Sequence, residues 1–202
     1  MIILHKNDIP ADLDFGDSVA VDSETLGLLH RRDPLCLVQL SGGDGQAHIV
    51  QLDRKKYNAP NLKKLLADPK VTKLFHYARF DLAIIKMYLG VECTPTYCTR
   101  TASKLVRTYT DRHGLRECCR ELLSIDLNKQ QQSSDWGSPD LTEAQLQYAA
   151  NDVLHLHALR EKLDIMLKRE GRLELAQQCF DFLPVRADLD LSGWNNIDIF
   201  EH

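Results

Sequence analysis

The sequence predicts an α/β domain with a mixed sheet flanked by helices, and three observations carry that expectation. Short apolar runs separated by turn residues occupy the first quarter of the chain. Single apolar runs then alternate with helical patterns, and the last third has helical periodicity. Ser18 to Asp22 is the first clear run and ends on an acid. Leu35 to Leu40 follows, then the turn residues Gly42 to Gly45, then Ala47 to Leu52, an antiparallel meander in prospect. Pro60 opens a helix through Leu62, Leu65 and Leu66 that ends at Asp68 and Pro69. Val71 to Phe75 is a buried strand, Asp81 to Leu89 a helix stopped by Gly90, and residues 99–109 and 114–123 are helical segments. Thr142 and Gln145 form a capping box, and apolar residues at 146, 149, 150, 153, 156, 159 and 163 predict one helix reaching Gly171. A second helix then begins and stops at Pro184, leaving 184–202 irregular.

The 202 residues suffice for one core, giving a single domain over 1–183 and a tail over 184–202 that packs or forms an oligomer contact. At 44% hydrophobic and 27% charged, the composition excludes a disordered tail, a collagen-like repeat and a small disulfide scaffold. No apolar run of about 18 residues predicts a membrane helix. The first residues meet acids too soon for a signal peptide, so a cytoplasmic location is expected. The six cysteines include no C-x-x-C pair and are read as reduced and mostly buried. A net charge of −4 means that a nucleic-acid partner requires a local basic patch.

The chemistry lies in the acids. Asp22 and Glu24 stand two apart at a strand end, so both point the same way. Such a pair repels itself unless a cation lies between, and Mg²⁺ or Mn²⁺ suits oxygen ligands. Two solvated acids are the plain alternative. Asp81 follows a buried strand, where a helix N-terminal charge is the competing role. Tyr148 and Asp152 stand four apart on one helix face and can aim at one point.

A strand-end Asp-x-Glu, an Asp some sixty residues on, and a late Tyr-x-x-x-Asp together resemble the DEDD 3′–5′ exonucleases, in the branch with tyrosine in the third motif. The matching residues are Asp22, Glu24, Asp81, Tyr148 and Asp152. Phe75 to Asp81, Ser134 to Trp136 and Leu146 to Val153 resemble the ribonuclease D group. Val21 to Gly27, Thr108 to Gly114, Lys129 to Trp136 and the tail from Leu189 to Phe200 resemble the compact nano-RNase C type of alphaproteobacterial diribonuclease, over nearly the whole chain.

The resemblance implies an RNase H-like (DnaQ-like exonuclease) fold and two divalent ions, Mg²⁺ or Mn²⁺, held by Asp22, Glu24, Asp81 and Asp152. Two ions about 3.5–4 Å apart supply a nucleophile and relieve leaving-group charge in phosphodiester hydrolysis. It further implies that Glu24 and Tyr148 orient the attacking water, that Asp22 bridges the ions and that Leu28 wedges between the last two bases. A core leucine is the alternative for Leu28. Thr25, His76 and Tyr77 adjoin the motifs and are candidate substrate contacts. Arg100, Lys104, Arg107 and Arg112 belong to a basic patch over 98–120, with Arg100, Lys104 and Arg107 on one helical face, either solvated or contacting phosphate.

The expected activity is metal-dependent 3′–5′ degradation of dinucleotides and other very short RNAs to nucleoside monophosphates. Too few residues follow the third motif for the extra helical domains of ribonuclease D proteins. Ribonuclease D-like trimming of structured RNA and a degenerate nucleic-acid-binding module are the alternatives. Expected partners are short RNA, with single-stranded DNA a second candidate, no membrane, and further copies of the chain. The resemblance implies an octameric ring.

Overall fold

The computed structural model describes residues 1–127 and 134–202. The Lys129 to Ser133 part of the polar run noted above lies outside the described residues. In chain order the elements are β1 (Ile2–Lys6), β2 (Ser18–Thr25), β3 (Leu35–Ser41), β4 (Ala47–Gln51), α1 (Pro60–Ala67), β5 (Thr72–Phe75), α2 (Ala78–Leu89), β6 (Thr96–Cys98), α3 (Thr99–Val106), α4 (Leu115–Leu123), α5 (Glu143–Leu154), α6 (Leu156–Arg169) and α7 (Leu173–Leu191). Among the described residues the strands form one six-stranded sheet, ordered β1-β4-β3-β2-β5-β6. The meander β2-β3-β4 is antiparallel as the sequence predicts, whereas β1, β5 and β6 join in parallel.

Alternation along the strands decides what each face does. Val19 and Val21 of β2 and Val38 and Leu40 of β3 face one way into the main core, fully buried. Asp22 and Glu24 point the other way, onto the face shared with their cross-strand partners Gln39 and Leu37. On that face a smaller cluster joins Leu37 and Ile49 to Trp136 and Ala149, with Leu146 and Tyr148 at its edge, so α5 lies over it. Along β2, β5 pairs only with Ser18 to Ala20, so β2 runs past it and its last residues are open on that side. α2 starts directly after β5 and brings its first turn to this gap.

Three helical expectations are corrected. The helix from Thr142 is two helices, parted at His155 (φ −109°, ψ −3°). The apolar stripe hides the break because Val153, Leu156, Leu159 and Leu163 stay buried across it. The capping box itself is present, with Thr142 Oγ1 accepting from the Gln145 amide and Gln145 Oε1 from the Thr142 amide. The last helix does not stop at Pro184 but runs through it to Leu191, correcting the irregular reading of 184–191. Proline removes one backbone bond there, while Phe180 and Ala187, buried on either side, keep the segment on the core. Finally, α2 begins at Ala78, which places Asp81 inside its first turn. All six cysteines are free, five of them buried. No helix among the described residues is long and apolar enough to cross a membrane.

Candidate active site

A cleft of about 350 Å³ opens where β2 outruns β5. Asp22, Ser23, Glu24 and Thr25 line one side, Tyr148, Asn151 and Asp152 of α5 another, and Leu28, His76 and Arg100 its rim. The i, i+2 spacing on β2 and the i, i+4 spacing on α5 converge here. One carboxylate oxygen from each of Asp22, Glu24 and Asp152 lies within 4.8 Å of the other two. Asp81 stands outside this trio; its Oδ1 accepts from Ser23 Oγ at 2.5 Å. Ser23 thus ties the first acidic motif to the second. Its side chain leaves β2 on the face opposite the two acids, which brings it to α2. Standing between Asp22 and Glu24 was the sequence signal for it, and it was missed.

Among the described residues the acids have no ion-pair partner, and their electrostatics follow from that. Burial pushes Asp22 up to about 7, against a backbone hydrogen bond from Ser23 that favours the anion. Glu24 is raised well above the usual carboxylate range by burial, then by the charges of Asp22, Asp152 and Asp81. Asp152 and Asp81 are raised by burial and then by Asp22, with the Ser23 hydroxyl opposing the shift at Asp81. Tyr148 is raised by burial and by Asp152, Glu24 and Asp22. It stays a neutral phenol, a hydrogen-bond donor rather than a base. Trp136 packs against its ring, centroids 5.9 Å apart.

The donor set fits a hard divalent cation. The ligand atoms are oxygens, they converge, and a doubly positive ion reverses the desolvation and repulsion that raise them. A bound cation of this class lowers the pKa of its water and offsets charge on a phosphodiester. Asp22, Glu24 and Asp152 are the residues that would hold it, with Asp81 across the gap.

The structure sorts the other expected contacts. Leu28 is 81% exposed at the cleft mouth, which rules out a core role. Thr25 is buried in the cleft wall with its hydroxyl donating to the Gly27 carbonyl. His76 Nδ1 lies 2.8 Å from Thr99 Oγ1, and burial, then Arg100, drives the ring down to about 3, so it is neutral. Tyr77 lies outside the cleft lining. It caps α2 in the left-handed region (φ 75°), and the Arg100 guanidinium sits 4.9 Å over its ring. Lys104 and Arg112 are exposed but do not line the cleft.

Arg107 is a correction. It is fully buried, with its guanidinium bonded to Glu121, Ser103 and the Arg112 carbonyl. The helical spacing that placed it beside Arg100 and Lys104 assumes a continuing helix, but α3 ends at Val106 and Arg107 turns inward. Arg116, overlooked as a contact, lines the cleft.

Comparison with known proteins extends this geometry. The 3′–5′ exonuclease family matches residues 6–168. Ribonuclease D of Granulibacter bethesdensis is 36% identical over 155 residues, covering 77% of this chain and 39% of that protein. The chain thus spans about two-fifths of the length of these curated ribonuclease D relatives. Several solved structures match over 100% of this chain and 98% of theirs. Brucella melitensis NrnC with bound Mg²⁺ is 51% identical with a TM-score of 0.95. Brucella melitensis NrnC bound to pGG is 52% identical with a TM-score of 0.96. The fold is that of the DnaQ-like, RNase H-like exonucleases.

Proposed function

The chain belongs to the 3′–5′ exonuclease family, and from that premise we propose that it is a Mg²⁺- or Mn²⁺-dependent exoribonuclease that degrades very short RNAs to nucleoside monophosphates in the cytoplasm. The observation that carries the proposal is the convergence of Asp22, Glu24 and Asp152 beside Tyr148 in a cleft rimmed by Leu28 and Arg100. A relative similar over its whole length was solved with pGG, and another structure of it with Mg²⁺.

In this reading Asp22, Glu24, Asp81 and Asp152 would hold two divalent ions, which would supply a nucleophile at neutral pH and offset leaving-group charge. Glu24 and the Tyr148 hydroxyl would orient the attacking water. Leu28 separates the last two bases at the mouth, and Arg100, held by Tyr77, meets phosphate. Thr25 and His76 shape the wall around the terminal nucleotide. The assembly is a homo-oligomer, an octameric ring by resemblance. Exposed apolar side chains in the tail, Ile197 at 54% and Phe200 at 76%, support a partner surface there.

An RNA length series from two to ten nucleotides, at fixed salt and Mg²⁺, tests the substrate. Turnover is expected to be fastest on the dinucleotide and to fall with length. Preference for ten-mers or for structured 3′ ends would favour the ribonuclease D-like trimming suggested by the curated relatives. Binding without cleavage of any RNA would mark a degenerate module.

A further inference from the structure

Gln39 is fully buried in the middle of β3, and neither its Oε1 nor its Nε2 has a hydrogen-bond partner among the described residues. Leaving an amide in the interior without bonds is costly, so such a group calls for an explanation. Gln39 is the direct cross-strand partner of Asp22, and its other neighbour is Ile49 on β4. Cross-strand partners point to the same face of a sheet with Cβ atoms about 5 Å apart. The unpaired amide therefore lies in the apolar floor beneath α5, beside the acid at the centre of the cluster. Leu37 and Ile49 beside it on that face are apolar, which leaves Asp22 as its polar cross-strand neighbour. A leucine would satisfy the strand's alternation and the core equally well.

We propose that Gln39 is a positioning residue of the acidic site, holding Asp22 through a side-chain hydrogen bond that forms when the cluster is loaded with a divalent cation. The inference rests on the cation reading above. The carboxamide suits the role because it is neutral. It can donate from Nε2 to the Asp22 carboxylate without adding charge to four acids that already repel each other. Outer partners of this kind orient metal ligands, and removing one costs about 10–100-fold in metal affinity or activity.

Gln39→Met keeps volume and flexibility and removes both unsatisfied atoms. A mere packing misfit and a positioning group then part company. We expect the metal-free Gln39→Met chain to melt a few degrees above wild type. Its rise in melting temperature on adding Mg²⁺ should be smaller than wild type's. Its kcat on a dinucleotide should fall about tenfold with KM unchanged. Wild-type kcat together with a wild-type Mg²⁺ shift would overturn the proposal, as would a lower metal-free melting temperature, which would mean that the amide already supports the fold. Gln39→Glu guards against a Met variant that fails to fold. A fifth acid beside Asp22 should enlarge the Mg²⁺-induced rise, and an unchanged rise would place residue 39 outside the cluster's field and overturn the proposal. Absence of any Mg²⁺ shift in wild type would overturn the cation reading itself, whereas a wild-type shift that residue 39 leaves unaltered overturns only the role of Gln39.

Discussion

The molecule buries charge in two places and treats it in opposite ways. At the end of α7, Asp190 has a side chain 3% exposed and accepts from Arg79 Nε at 2.5 Å, Arg79 Nη2 at 2.6 Å and Arg186 Nη2 at 3.0 Å. That anion is fully met by the chain's own cations. In the cleft, Asp22, Glu24, Asp81 and Asp152 are held together and pushed up by burial and by one another, while Arg100 and Arg116 stay at the rim. Burying an unmatched charge is far costlier than burying a matched one. The paired anion at α7 fastens the helix end to α2, while the unmatched acids keep a place for a cation from outside.

The contrast can be broken by experiment, beginning with the largest effect. Asp22→Asn, Glu24→Gln, Asp81→Asn or Asp152→Asn should each remove nearly all hydrolysis of a dinucleotide while circular dichroism shows an intact fold. Under the proposed function each removes a cation ligand and little packing. Near-wild-type turnover in Asp152→Asn would dissolve the site. Tyr148→Phe should keep the wild-type Mg²⁺-induced melting shift and lose about 10²–10³-fold in kcat, the scale of one positioned catalytic group. A loss below about threefold would show that the hydroxyl plays no part.

The paired regions should answer in stability instead. Asp190→Asn removes the charge that partly exposed Arg79 and Arg186 share, and Arg107→Ala removes a fully buried guanidinium; each should cost about 1–3 kcal/mol in chemical denaturation. The Mg²⁺ dependence of the remaining activity should be unchanged. A shifted Mg²⁺ dependence in Arg107→Ala would reinstate it as part of the site.

The site's legibility followed from fixed spacings. Asp22 with Glu24, and Tyr148 with Asp152, are brought together by the two-residue period of a strand and the four-residue return of a helix, which survive any packing. Thr142 and Gln145 worked for the same local reason. What failed depended on tertiary context. β6 is three residues long and β1 is a half-exposed edge strand, so neither shows a period. Pro184 reads as a stop, but packing on the core overrides the lost bond. Arg107 reads as surface because nothing local announces that α3 ends one residue earlier. Gln39 sits in an apolar run and becomes visible only through the register that sets it opposite Asp22.

A smaller effect separates the two charge clusters by pH. Asp22 in the metal-free chain is raised to about 7 from an ordinary value near 4. The native state then holds a proton that the unfolded state has released, so the contribution of Asp22 to stability is greatest below about pH 4 and is lost as pH rises through 7. Metal-free protein should melt progressively lower across that window, and saturating Mg²⁺ should flatten the slope. Asp22→Asn should melt higher than wild type without metal and gain less from it. Equal slopes with and without Mg²⁺ would place the acids outside any cation site.

The most direct test of the account is hydrolysis of an RNA dinucleotide by the wild-type chain and by Asp152→Asn, first in EDTA and then with Mg²⁺ restored in excess. The account predicts no turnover in EDTA, full recovery of the wild type on adding Mg²⁺, and a flat response in Asp152→Asn. Wild-type turnover that persists in EDTA, or recovery of Asp152→Asn to the wild-type rate, would contradict it.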